Sequence, residues 1–312
     1  MKADYHFHPN LHAKKPEKRL QSLWKAIMSS GLDAIICTEH TYKNAPVSYR
    51  QFVQAKPADA KTHVFPGAEL ISKEGKGIEI IAFAEEDWYD NHPLILQPLT
   101  MSFSEMVAYL EQSELHWFIP HPFLLGNPLK RLCPSTEKML DFLNSVPALE
   151  VQNGCYLLLE KLYRTLPWQW FREKQAVKFR SSVQLPPSLI PRGNHQFLAV
   201  GSDAHHPRDI GFHVDIPTQR NVTKRSEVFH ALTTNTSVDN VYIPPQTLSI
   251  RHLLYTAWTT FSEACMKREW RRYEYQHQVF EVAPALQDGT TTKHLSALDD
   301  TQGRSQISAR EA

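Results

Sequence analysis

The sequence predicts an α/β fold, a mostly parallel sheet or a β/α barrel, and three observations point to it. Strand and helix signals alternate from Tyr5 to Ser202. Histidines and carboxylates recur at or just beyond the C-terminal ends of the predicted strands, which converge on one mouth when such a sheet curls. The 312 residues also suffice for one large domain with its own core.

The first strand is Tyr5–His8. Pro16 to Ser30 follows as a helix, because Leu20, Leu23, Trp24, Ile27 and Met28 share one face. Pro16 suits its first turn and Gly31 its C-terminal stop, after which Asp33–Thr38 reads as a buried strand. Strands are expected at Val64–Ser72 and Ile78–Ala84. A helix then opens at Phe103, where Ser102 and Glu105 have capping-box spacing. Trp117–Pro120 reads as a strand, Thr136–Asn144 as a helix, Ala148–Gln152 as a strand, Tyr156–Tyr163 as a helix and Phe197–Ser202 as a strand.

The alternation breaks over 166–194, where Trp168, Trp170 and Phe171 mix with Arg172, Lys174, Lys178 and Arg180 ahead of Pro186–Pro187. This reads as an insertion or lid, more simply a solvated loop anchored by aromatics than a phosphate- or base-contacting surface. Ser226–Leu232 is expected to be helical. Leu248–Tyr275 is rich in aromatics and ends with Lys267, Arg268, Arg271 and Arg272, which suits packing on the main body or on a protein partner. From Pro284 to Ala312 few large apolar residues remain, so disorder is expected. The partition is thus a main body over 1–245, a helical segment over 246–283 and a tail over 284–312.

Lys and Arg number 34 against 33 Asp and Glu, a formal net charge of +1, so there is no global field to attract nucleic acid or an anionic membrane. The four cysteines, Cys37, Cys133, Cys155 and Cys265, lack CxxC spacing, which argues against a disulfide framework or zinc ribbon. No stretch approaches the length of a membrane span and no leader-like apolar run is evident, so a cytoplasmic location is the expectation.

The chemistry resides in His6, His8, His40, Glu69, His121, Asp203 and His205. Alternate residues of a strand point to one face, so His6-x-His8 can aim two imidazoles at one cation, and Asp203-x-His205 repeats the device. Imidazole with carboxylate suits zinc, manganese or iron. A lone histidine among the 16 here, such as His116 or His252, carries no such weight. Only the conjunction of motifs does.

These motifs resemble the PHP (polymerase and histidinol phosphatase) family. The resemblance runs through Asp4-Tyr5-His6-Phe7-His8, Thr38-Glu39-His40, Gly67-Ala68-Glu69, Pro120-His121-Pro122 and Gly201-Ser202-Asp203-Ala204-His205, covering roughly Asp4 to Gly211. It implies a distorted seven-stranded (β/α)7 TIM-like barrel, here with a C-terminal helical extension, carrying two or three divalent ions. His6, His8, Glu69 and Asp203 would hold one ion, Glu69 as a bridge with His121 a second, and His40 with His205 a third. Glu150 matches a frequent acid of the fold, as a ligand or as a partner behind the ligands. Glu79 stands where the family has a histidine, either as a replacement oxygen ligand or as a solvent-facing neighbour. His12 substitutes for the ligand that usually follows HxH.

The implied activity is metal-dependent hydrolysis of a phosphate ester, with Glu69, His121, Asp203 and His205 at the chemistry. Lys130, Arg131 and Arg208 are the candidates for holding substrate phosphate. The substrate could be a small-molecule monoester or diester, or DNA or RNA in a nuclease. From another class, a non-catalytic module in which metals stabilise a partner-binding body remains open. An amidohydrolase-type barrel fits worse, because no candidate metal-bridging lysine stands at a strand end.

Overall fold

The computed structural model describes residues 1–11, 16–74, 78–122, 133, 135–155, 195–218, 222–243, 258, 262 and 265–269. His12, Lys130, Arg131, the 166–194 insertion and the tail lie outside them, as do all but a few residues of the 246–283 segment. In chain order the elements are β1 (Lys2–Phe7), α1 (Pro16–Ser30), β2 (Ala34–Cys37), α2 (Ala45–Gln54), β3 (His63–Ile71), β4 (Glu79–Phe83) and α3 (Phe103–Gln112). They continue with β5 (His116–Phe118), α4 (Thr136–Ser145), β6 (Ala148–Asn153), β7 (Phe197–Gly201), β8 (His213–Asp215), α5 (Arg225–Thr234) and β9 (Val241–Tyr242). Among the described residues no helix is long and apolar enough to cross a membrane.

Local signals act where physics puts them. Gly31 takes φ 65° and ends α1, and Ser102 with Glu105 completes the capping box of α3. Helix α2 escaped the sequence reading, although Asn44 accepts from Val47 N at its start and a proline occupies its first turn.

The expected (β/α)7 barrel is not what forms. The sheet is a curled, seven-stranded half-barrel in the order β5-β4-β3-β2-β1-β8-β9, and most of its pairings are antiparallel. Only β1–β2 and β2–β3 are parallel within it. The cause is legible at the β3–β4 connection, where Ser72 N bonds Ile78 O across a tight link. A parallel crossover needs about a dozen residues or more, so β4 must run back along β3. Strands β6 and β7 form a separate parallel pair, which meets the half-barrel through the single bridges Ile119↔Leu149 and Phe7↔Ala204.

Apolar side chains fall on both faces. Tyr5, Ile36, Phe65, Ile81, Phe83, Phe118 and Phe197 fill the concave side. Leu23, Trp24, Ile27, Phe52, Phe103, Met106, Met139 and Leu143 of α1 to α4 cover Ile35, Cys37, Leu70 and Ile80 on the other. In β1, Asp4 pairs with Ile35 but Phe7 with Cys37, so one extra residue is inserted between them. Ala3 and Tyr5 therefore face the concave cluster while Phe7 faces the helices. The bulge leaves His6 and His8 on the concave side.

Candidate metal centre

Strand ends build the site. His6 and His8 come from the end of β1, His40 from just after β2, and Glu69 from β3. His121 follows β5, Glu150 lies in β6, and Asp203 and His205 follow β7. Glu79 begins its strand instead of ending it. Because β4 is antiparallel, pairing Glu79 with Ile71 brings that first residue to the same mouth as Glu69. His121 and Asp203 hold left-handed backbone at φ 30° and 50°, a conformation that costs non-glycine residues roughly 1–3 kcal/mol and clusters at functional sites.

The donor atoms crowd together. His6 Nε2 lies 2.9 Å from His8 Nε2 and 3.6 Å from Asp203 Oδ1, and His8 Nε2 lies 3.2 Å from the same oxygen. Glu69 Oε2 is 2.6 Å from His40 Nδ1 and 3.5 Å from His8 Nε2, while its Oε1 is 3.2 Å from His121 Nε2. His205 stacks on His8 at 4.5 Å between ring centroids, with its Nδ1 3.4 Å from Asp203 Oδ1. Glu79 Oε2 reaches to 3.7 Å from His121 Nε2. Four overlapping groups result: His8–His40–His205, His6–His8–Asp203, His6–Glu69–His121 and His40–Glu69–Glu79.

Behind these donors stand residues that hold them. Glu150 places Oε1 3.2 Å from His6 Nδ1, and its Oε2 accepts from His121 N at 2.7 Å and Asn153 Nδ2 at 3.1 Å. It acts as an orienting partner of two imidazole-bearing residues. Glu39 Oε1 stands 3.6 Å from His8 Nδ1 while Oε2 accepts from Asn10 N at 2.5 Å. Lys43, buried beside it, lies 3.9 Å from Glu39 Oε1 and donates to Asn10 Oδ1. Arg19 donates to the carbonyls of Pro9 and His205, tying the β1 and β7 ends together. Asp4 accepts from His6 N and Ser202 N below the site.

Burial alone would raise Glu69, yet the facing His40, His121 and His6 hold it well below the carboxylate range. Asp203 is likewise lowered against its burial, chiefly by His6 and His8. His6 titrates well above its ordinary value because Asp203 and Glu150 outweigh its burial, and Glu69 and Glu79 lift His121 to about 9. His8 goes the other way, lowered by burial and by the facing His40 and His205. Burial pushes Asp4 up to about 7. The acids and imidazoles of the cluster thus shift one another in opposite directions, and groups of this kind bind metal in competition with protons.

The donor set fits divalent ions. Ligand atoms about 2.1 Å from one ion stand roughly 3–3.5 Å apart, as many of these do. Within each of the four groups the ligand atoms all lie within 4.8 Å of one another, and Glu69 Oε2 is buried against His40 Nδ1 without a well-formed hydrogen bond, a crowding of donors that a cation would relieve.

Eight sequence-nominated residues therefore meet at one mouth: His6, His8, His40, Glu69, Glu79, His121, Asp203 and His205. Arg208 is exposed on the short 3-10 turn Pro207–Asp209. Glu39, Lys43, Arg19 and Asn153 were not nominated. Glu39 lay within the Thr38-Glu39-His40 motif and Lys43 four residues beyond it, but nothing local marks Arg19 or Asn153.

No protein-family model matches the chain, and no curated protein matches it in sequence. Among solved structures it is similar to PsfC from Pseudomonas syringae PB-5123, with a TM-score of 0.50 and 17% identity over 84% of this chain and 98% of that one. At that identity the likeness is one of fold alone. A mixed α/β half-barrel whose mouth gathers His, Glu and Asp groups positioned to hold metal ions is the resulting description.

Proposed function

We propose that the chain is a metal-dependent phosphoesterase of the PHP type, holding two or three divalent cations (Zn, Mn or Fe) and hydrolysing a phosphate ester. The observation that carries this reading is sharing: Glu69 stands 2.6 to 3.9 Å from ring nitrogens of His6, His8, His40 and His121, and belongs to two of the donor groups. A carboxylate so placed would serve as a donor to both of those groups. Divalent ions held by these residues would supply a water that ionises near neutral pH and positive charge for the phosphoryl and leaving oxygens.

The protein's residues supply geometry. His6 and His8 present converging nitrogens, Asp203 closes that group, and Glu150 and Glu39 fix the two rings from behind. His205 is the most open of these imidazoles, with 16% side-chain exposure, which supports a role for it on the substrate side of the cluster.

The test is elemental analysis of protein purified without chelator, followed by assay with Mn2+ or Zn2+ against an aryl phosphate monoester and diester. Two or three bound ions with turnover is the expected result, and the monoester-to-diester ratio separates a phosphatase from a phosphodiesterase or nuclease. Metal-free protein that takes up no ion would overturn the reading. Bound metal without turnover of either ester would point to a metal-stabilised binding module.

A further inference from the structure

A phosphate ester is an anion, so its site needs positive charge beyond what balances the ligands. Two divalent ions would neutralise the carboxylates Glu69, Glu79 and Asp203 of the donor groups together with Glu150 behind them. Among the described residues, fixed cations near the site are few. Lys43 is buried at 0% side-chain exposure and engaged with Glu39 and Asn10, and Arg19 is bound to two backbone carbonyls. Lys43 is thus shut away from an incoming ligand, and the Arg19 guanidinium is engaged by backbone carbonyls.

The C-terminal segment supplies another. Residues 265–269 are helical, and Met266 packs against Tyr42, Ile71 and Leu99. Tyr42 lies two residues after His40 and Ile71 two after Glu69, so this contact seats the segment on the rim of the site. The next residue, Lys267, places Nζ 2.5 Å from Glu79 Oε1 and 5.4 Å from the centre of the Tyr42 ring. Tyr42 in turn stacks on His40 with centroids 4.6 Å apart. Lys267 keeps 24% of its side chain exposed.

We propose that Lys267, carried to the mouth by the C-terminal segment and held there by Glu79 and Tyr42, anchors the phosphoryl oxygens of the substrate; this rests on the phosphoesterase reading. A lysine ammonium binds phosphate as a point charge, and a long side chain ordinarily loses much rotamer freedom in doing so. Here an ion pair and a cation–π contact restrict it beforehand. Glu79 then has two roles, one oxygen towards His121 and the donor groups and the other restraining Lys267. The chain thereby brings a residue remote in sequence to the reacting phosphate, and a polar variant of Glu79 would loosen both.

Lys267→Met and Lys267→Arg are compared with the wild-type full chain, loaded with Mn2+. Inorganic phosphate binding is measured by calorimetry, alongside metal content, melting temperature and kinetics on the aryl phosphate. Lys267→Met is expected to weaken phosphate at least tenfold and raise KM more than it lowers kcat, with metal content unchanged. Lys267→Arg should recover most of the affinity, which separates charge from folding. Equal phosphate affinity in wild type and Lys267→Met overturns the anchor while leaving the phosphoesterase reading intact. A gain of one metal ion in Lys267→Met without loss of phosphate affinity overturns it too, since the ammonium would then be standing in for a cation. Metal-loaded wild-type protein that binds no phosphate and turns over neither ester overturns both.

Discussion

Replacing Gly201 by alanine tests the geometry of the site at its narrowest point. Gly201 ends β7 where that strand passes the β1 end, and Asp203 N bonds His6 O at 2.7 Å just beyond it. A Cβ added at Gly201 would run into the Cβ of His6, and would stand 2.5 Å from Glu150 Oε1 and 3.0 Å from His6 N. Carbon atoms pack at about 3.5–4.0 Å, so the strands must part by roughly 1 Å or the His6 and Glu150 side chains must leave their places. Overpacking of this kind costs about 1–3 kcal/mol. With about 2–4 °C per kcal/mol for a domain of this size, the melting temperature should fall by roughly 2–12 °C. Because the colliding atoms belong to His6 and to the carboxylate orienting it, bound metal should also fall below half of wild type. Gly31→Ala is the control: its φ of 65° imposes backbone strain, but the nearest atom is Lys2 Nζ at 4.0 Å, so stability should drop without loss of metal. Thermal melts followed by circular dichroism, with elemental analysis of the same samples, read both quantities. A Gly201→Ala protein that melts with wild type and keeps its full metal content would refute the close approach of β1 and β7.

Further outcomes concern other residues. His8→Ala removes a donor shared by two groups and should abolish metal binding at that position and activity with little change in the circular dichroism spectrum; full metal content would sink the assignment. Glu39→Gln should weaken metal about 10- to 100-fold, the usual effect of disturbing a partner behind a ligand, measured by competition with a chelating dye. Chelator should lower the melting temperature of loaded protein, since ligand at a thousand times its Kd contributes about 4 kcal/mol; an unchanged melt in excess chelator would mean that the ions do not support the fold. Burial holds the His195 pKa below its ordinary 6.5 while Nδ1 meets Val146 O at 2.9 Å. The unfolded chain therefore takes up that proton first, so the histidine's contribution is intact above pH 6.5 and is lost as pH falls through 6.5 towards the folded value. His195→Gln should flatten the stability profile in that window, and an unaltered slope would contradict it.

The ligand types were legible in the sequence because metal chemistry restricts them to a few residues in short spacings: His6-x-His8, Asp203-x-His205, and Glu69 as the one acid in the apolar run from Val64 to Ile71. Helices α1 and α3 were legible for a similar reason, since their apolar period and caps are local. The strand directions were not legible at that level. The link from Ser72 to Ile78 is too short for a crossover, so β4 runs antiparallel to β3 where the barrel implied by the alternation and the resemblance needs a parallel strand. That same reversal carries Glu79 to the mouth. The β1 bulge, which turns His6 and His8 inward, depends on pairing with β2, and no pattern within β1 announces it. Glu39 behind His8, Glu150 between His6 and His121, Arg19 across two loops and Lys267 on Glu79 are contacts between residues far apart in the chain. Residue chemistry and short periodicities are properties of neighbours, and so the sequence by itself determined which groups could bind metal. Which of them share one cavity, in what order, and what holds them is set by strand direction and packing over long separations, and only the tertiary structure decided it.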